Sequence, residues 1–372
     1  MTAVPDKTDV VVIGGGPAGL AAAIAARLKG FDVMVADGGH PPIDKACGEG
    51  LMPDASGAVH RLGIRMDTEQ SFAFRGIRFL GEGRSVAADF PTGCGVAIRR
   101  LQLHQALVDR AVETGVSLAW GRRVVGLISD GVALDGHSVR CRWVIGADGQ
   151  NSKVRRWAGL EAARQESFRF GFRRHYRVAR WTDFMEVYWG DGLQMYVTPV
   201  NQEEVCVALI TRDKHLRTEQ ALFQFPELRR RLAGAVPSTG ERGAVTASRS
   251  LRRIFRGRTI LIGDASGSVD AITGEGLSLA FQQALALADA LASGDMGAYQ
   301  AEHRRLARRP NFMANLMLSL DRFPALRRRV LHALASDPAI FANLLAMHVG
   351  CLSPGDFLMH GMLPLGRQIL TA

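Results

Sequence analysis

Residues 9–20 read Asp9-Val10-Val11-Val12-Ile13-Gly14-Gly15-Gly16-Pro17-Ala18-Gly19-Leu20. The apolar run 10–13 has the length of a buried strand. Gly14, Gly16 and Gly19 follow at G-x-G-x-x-G spacing. Residues 18–28 read as a helix rich in small residues, which Gly30 ends. Residues 31–36 read as a second strand finishing on Asp37, 18 residues after Gly19. This is a complete βαβ dinucleotide fingerprint. Gly14 allows the sharp turn and Gly16 the close approach of a pyrophosphate. Gly19 lets helix and strand pack, and the helix N-terminus offers free N–H groups to the phosphates. Asp37 stands where a carboxylate binds a ribose hydroxyl.

Working outward, 372 residues suffice for more than one core. The five cysteines, Cys47, Cys94, Cys141, Cys206 and Cys351, are scattered with no C-x-x-C pair. That spacing argues against a zinc site or a disulfide framework. The first residues carry Asp6, Lys7 and Asp9 and show no signal-peptide pattern, so a cytoplasmic, soluble protein is expected. The net charge of +10 is mostly arginine. No nucleic-acid-binding motif accompanies it, so it reads as a solvated surface, with anionic lipid as the other partner such charge fits.

Further along, 72–90 reads as a hairpin turning near Gly81-Glu82-Gly83, and 101–116 has helical period behind Arg99-Arg100. Residues 124–134 form a hairpin around Asp130-Gly131, and Arg142-Trp143-Val144-Ile145 is a strand ending in Gly146-Ala147-Asp148-Gly149. Residues 168–210 alternate aromatic and aliphatic segments, as the strands of a separate antiparallel sheet do. Residues 216–232 read as helical. A buried strand, 259–262, ends in Gly263-Asp264, and Gly274-Glu275-Gly276 opens a long Ala/Leu helix over 277–291. Beyond 297 the chain reads as helices broken at Pro310, Pro324, Pro338, Pro354 and Pro364.

Three strand-ending motifs thus stand in order: Gly14-x-Gly16-x-x-Gly19, Gly146-Ala147-Asp148-Gly149 and Gly263-Asp264-Ala265. Over most of residues 8–291 this resembles the FAD-dependent aromatic hydroxylase superfamily, the group A flavoprotein monooxygenases. That superfamily also holds the geranylgeranyl reductases and relatives of the flavin halogenases. The resemblance implies an α/β fold: a Rossmann-like FAD-binding domain (1–71, 97–165, 245–292), an inserted antiparallel substrate sheet (72–96, 166–244) and C-terminal helices (293–372).

Carried onto this chain, it implies that Gly14, Gly16, Pro17, Ala18 and Gly19 hold the pyrophosphate and Asp37 the adenosine ribose. Arg100 would lie near the ribityl chain and phosphate, Asp148 of the second motif would help bind the cofactor and brace the fold, and Gly263-Asp264 would meet the ribityl hydroxyls. Lys45, Gly48 and Gly50 would belong to the cofactor loop. The N–H groups of Gly274 and Gly276 would face the flavin pyrimidine, where a helix N-terminus stabilises negative charge. Two segments depart from the hydroxylase pattern. Gly263-Asp264-Ala265-Ser266-Gly267 and the loop Cys47-Gly48-Glu49-Gly50 look more like the reductase branch, and no Trp-x-Trp-x-Ile-Pro halogenase motif is present.

The expectation is an FAD-dependent monooxygenase that hydroxylates or epoxidises an apolar or aromatic small molecule through a flavin C4a-hydroperoxide. NAD(P)H would be the transient donor, or a partner flavin reductase the electron source. The alternative is reduction of an isoprenoid or lipid carbon–carbon double bond, with Cys47 and Glu49 as catalytic groups and peripheral membrane contact through the arginine clusters. A non-catalytic flavin-fold binding protein is the third reading. Tyr188, Trp189, Met195 and Tyr196 are the candidate substrate-pocket residues.

Overall fold

A computed structural model describes residues 4–161, 163–363 and 365–366. The fingerprint folds as its hydrophobic pattern dictates. Strand Lys7–Ile13 leads into helix Pro17–Leu28 and then strand Val33–Asp37. Both strands are near-continuous apolar runs because both faces of their sheet are buried. The parallel order across the middle is Thr259–Leu261, His137–Gly146, Lys7–Ile13, Val33–Asp37, Ser117–Trp120. All three glycine motifs therefore end neighbouring strands at one edge. Helix Gly276–Ser293 packs against Pro17–Leu28 and buries Phe281, Ala284, Leu287 and Leu291.

A second sheet runs Val236–Pro237, Ala163–Arg177, Glu204–Thr211, Leu193–Pro199, Phe184–Trp189, Gly76–Gly81, Arg84–Asp89. Strand Arg242–Leu251 pairs with Ala163–Arg177 along its length and runs through residue 245. The sheet is antiparallel except where Phe184–Trp189 meets Gly76–Gly81 in parallel. The turn Glu82-Gly83 has φ of 54° and 71°, as a two-residue hairpin requires. Short helical turns (Thr218–Ala221, Leu222–Gln224, Pro226–Arg231) cover one face of the sheet through Leu222, Phe225 and Leu228. The C-terminal helices cover the other face.

Pro324, Pro338 and Pro354 each open a new helix at its first turn, where a missing N–H costs nothing. Pro310 differs from the sequence expectation, because helix Met296–Arg322 runs through it. A mid-helix proline costs about 3 kcal/mol, and the buried stripe Met313, Ala314, Met317, Leu320 on the same helix offsets that. Pro364 lies outside the described residues. Nor is the arginine-rich segment wholly solvated. Arg327 is buried between Glu82 and Asp191, and Arg309 pairs with Asp54. Among the described residues no single helix is long and apolar enough to cross a membrane.

Candidate functional site

The strand-ending motifs converge on one cavity of about 1200 Å³. Gly14, Gly16, Pro17, Ala18 and Asp37 form one wall of it. Gly14 has φ of 111°, and a Cβ there would lie 2.5 Å from the Ala147 carbonyl oxygen. Gly19 is set back from the cavity: a Cβ on it would stand 1.9 Å from the Gly14 carbonyl oxygen. Its task is packing. Gly16, by contrast, has open space where a Cβ would point. The Asp37 carboxylate accepts the Gly15 and Gly39 N–H groups at 2.7 Å each, which holds the turn against the strand end.

Arg100, Asp148, Gly263, Asp264, Gly274 and Gly276 line the same cavity further along. Asp148 caps helix Lys153–Trp157 by accepting from Lys153 N at 2.7 Å and Val154 N at 3.1 Å. Arg155, almost wholly buried, ties the second motif to the third by donating to the Gln150 and Ala265 carbonyls. Lys45 reaches across to Asp264 at 3.3 Å.

The loop after Lys45 carries Cys47, Gly48, Glu49 and Gly50, all on the cavity. Cys47 is half-buried, and its sulfur accepts the Glu49 N–H at 3.4 Å. Glu49 sits at φ of 61°, strained for a side chain this size. Its carboxylate holds it there. Oε1 accepts the Arg100 N–H at 2.9 Å, and Oε2 pairs with His175 Nε2 at 2.6 Å. Arg173 Nε stands 3.8 Å from the same carboxylate. Thr198 donates to the Gly48 carbonyl at 2.8 Å. The loop is thus pinned to the second sheet, with Glu49 as brace and Cys47 in the cavity lining. Glu49, His175 and Cys206 present ligand atoms within 4.8 Å of one another. The Arg173 guanidinium already supplies the positive charge this carboxylate needs, so no metal is assigned.

Beyond the loop, the cavity runs between the second sheet and the C-terminal helices. Its walls there are apolar: Phe79, Val187 and Ile210 on the sheet, Met317, Phe341 and Leu344 on the helices. Tyr196 faces it, with its hydroxyl donating to the Ile272 carbonyl at 2.8 Å. Tyr188 and Met195, expected beside it, do not. They are paired across neighbouring strands and point to the other face, into the cluster under Phe225 and Leu228. Strand side chains alternate between faces, so of Met195 and Tyr196 only one can reach the cavity. Trp189 is on the cavity side of the sheet but is buried against Phe79, 5.7 Å between ring centres, and is not in the lining.

One polar cluster interrupts the apolar end. Glu275 is almost completely buried in the turn before helix Gly276–Ser293. Burial pushes its carboxyl up to about 8, with Asp54 adding to the rise and Arg309 opposing it. Burial likewise pushes His348 down to about 4. The folded chain therefore keeps a proton on Glu275 that the unfolded chain, with an ordinary value of 4.5, releases. Stability from this group is full below pH 4.5 and falls as pH rises to about 8. His348 works oppositely, its contribution being lost as pH falls from 6.5 to about 4. Between pH 6.5 and 8 only the Glu275 slope remains. The expected loss there is about 2 kcal/mol at about 1.4 kcal/mol per pH unit. Urea midpoints should show the fall in the wild type and a flat profile in Glu275→Gln. Equal slopes in both would refute the assignment.

The model of the family described as FAD binding domain matches residues 7–307. The chain belongs to this FAD-binding family. It is an FAD-dependent oxidoreductase. A menaquinone reductase of Mycobacterium tuberculosis is 32% identical over 323 residues, 79% of this chain and 78% of that protein. A digeranylgeranylglycerophospholipid reductase of Methanocaldococcus jannaschii is 26% identical over 74% of each chain. A solved geranylgeranyl bacteriochlorophyll reductase-like protein of Thermoplasma acidophilum shares the fold. Its TM-score is 0.70 at 21% identity, with 98% of this chain and 96% of that one covered.

The residues present fit FAD. Gly16 leaves a cradle that any side chain would fill. Arg100 Nε and Asp148 Oδ1 are buried at the cavity with no hydrogen-bond partner, a donor and an acceptor left for a ligand that carries phosphates and hydroxyls. The cluster of Glu275, Arg309, His348 and Asp54 and the brace of Glu49, Arg173 and His175 escaped the sequence reading. Glu275 carried a signal, since it stands inside a motif. His348 and Arg309 carried none, because only chain folding brings them to residue 275.

Proposed function

We propose that this flavoprotein reduces carbon–carbon double bonds in a long isoprenoid chain, as carried by a polyprenyl quinone or lipid. The observation that carries the reading is the single cavity joining the FAD cradle to an apolar chamber under the C-terminal helices. Its extended apolar wall suits a flexible hydrocarbon chain. The relatives named as reductases support it, one of them at 32% identity over most of both chains. Oxygenation, which the motif frame alone favours, would use the same cavity and is the competing outcome of the test.

FAD, when bound, supplies the hydride chemistry of its ring, and NAD(P)H is the proposed donor to it. The chain's own residues do the rest. Phe79, Val187, Phe341 and Leu344 hold the chain. The N-terminus of Gly276–Ser293 favours negative charge beside it. Cys47, held at the cavity by the Glu49 N–H, gives the proton that completes the reduced bond.

The experiment is anaerobic incubation of the NAD(P)H-reduced holoprotein with polyprenyl quinones and geranylgeranyl lipids, read by mass. A gain of two hydrogens per bond supports the reading. Oxygen-dependent gain of one oxygen atom, with no reduced product, sinks it. Cys47→Ala should retain FAD and lose roughly 100-fold in turnover, the scale of a positioned acid; full activity would remove Cys47 from the mechanism.

A further inference from the structure

Asp54 Oδ1, both Glu275 oxygens, Arg309 Nε and His348 Nδ1 are all buried without a hydrogen-bond partner. They come from four places in the chain: helix Pro53–Leu62, the turn before Gly276–Ser293, helix Met296–Arg322 and helix Pro338–His348. Arg309 Nη2 pairs with Asp54 and stands 3.6 Å from Glu275 Oε1. His348 Nδ1 stands 3.6 Å from Glu275 Oε2. So many unsatisfied polar atoms in one niche call for water, which needs a polar site with two to four partners. The niche adjoins the cavity directly. His348 lines it, and so do Gly274 and Gly276 on either side of Glu275. The titratable and charged groups facing Glu275 are thus Asp54, Arg309 and His348, one from each packed helix, with the Thr273 hydroxyl also beside the carboxyl.

We propose that Glu275 and His348 form a water-linked proton relay that feeds the reaction cavity. The proposal rests on the reductase reading for the identity of the group that receives the proton. Each reduced bond takes its proton from the Cys47 S–H and leaves a thiolate. His348 gives its Nε2 proton through cavity water to that sulfur. Its Nδ1 takes the proton of the Glu275 O–H through a bridging water across the 3.6 Å gap, so the ring changes tautomer and stays neutral. Glu275 is left as a carboxylate facing the Arg309 guanidinium, and water of the niche returns a proton to it. One proton enters from solvent for each one added to substrate, so charge balances. His348 touches the cavity, whereas Glu275 acts through it. A neutral carboxyl in this place is what the burial of Glu275 already favours.

The test begins with infrared titration of the FAD-loaded protein without substrate. A carbonyl band of a protonated carboxylic acid should be present at pH 7, titrate with a midpoint near 8 and vanish in Glu275→Gln. Turnover should fall roughly 100-fold in Glu275→Gln and in His348→Asn, and the double variant should be no worse than either, as for residues acting as a unit. FAD content and the rate at which the donor bleaches the flavin should be retained. A missing acid band at pH 7, or losses that multiply in the double variant, overturns the relay. Should Glu275→Gln fail to fold, Glu275→Asp must show the acid band at a shifted midpoint; an unshifted band overturns the relay equally. If no double bond is reduced at all, the function reading fails, and the infrared titration still decides whether Glu275 holds the proton.

Discussion

Gly16→Val is expected to give a folded protein that purifies without FAD. Gly16 caps helix Pro17–Leu28 at φ −73° and ψ 176°, a conformation valine adopts freely. Its carbonyl still accepts the Leu20 N–H at 2.9 Å, and a Cβ there meets nothing within 4 Å. Folding should therefore change by only about 1 kcal/mol, the scale of a helix-cap substitution. The new side chain fills the space a pyrophosphate must enter, so affinity for FAD should fall at least roughly 100-fold, about 2.7 kcal/mol. Thermal unfolding of the apoprotein and a flavin fluorescence titration separate the two effects. Gly19→Val is the contrast, since its Cβ would collide with the Gly14 carbonyl and cost the fold itself. Tight FAD binding by Gly16→Val would remove the turn from the cofactor site.

Asp270→Ala should lower stability by about 3–5 kcal/mol in urea unfolding. Arg169 is buried to 2% exposure and Asp270 to 1%. Arg169 donates to both Asp270 oxygens, and its remaining terminal nitrogen reaches Gln194 at 2.9 Å. Asp321 stands 4.0 Å from the same guanidinium and is itself held by Arg212 at 2.6 Å. Truncating Asp270 leaves a desolvated guanidinium short of its nearest counter-charge. Asp270 also accepts the Ile272 N–H at 3.0 Å, which fixes the segment presenting Gly274 and Gly276 to the cavity. FAD retention should therefore fall together with stability. The pair Arg169→Met with Asp270→Leu should recover most of the stability without restoring the turn, because the buried charge is then gone. A loss below 1 kcal/mol in Asp270→Ala would mean the network is hydrated and of little consequence.

The glycine turn, the two strands around it and the later strand-ending motifs were legible in the chain, because each is a local pattern. A strand, a tight turn and a helix are specified within some thirty residues by apolar period and by glycine. Of the residues that those patterns assign to the cofactor, all but Gly19 line the one cavity. Face assignment in the second sheet was not legible. Met195 and Tyr196 are neighbours of similar hydrophobicity, and only the pairing of their strand with Phe184–Trp189 and Glu204–Thr211 decides which one meets the cavity. Pro310 misled because local geometry argues for a break, while the burial of Met313 and Met317 against the sheet outweighs it.

By itself, then, the sequence determined the cofactor and the fold class, since the physics of a dinucleotide cradle is local. Tertiary structure alone decided what shares the cavity with it. Glu49 is a brace because His175 and Arg173, more than 120 residues away, converge on its carboxylate. The Glu275 carboxyl is pushed up to about 8 because packing buries it beside Asp54, which outweighs the opposing pull of Arg309. Burial and charge proximity are properties of the packed chain, and a linear pattern carries neither.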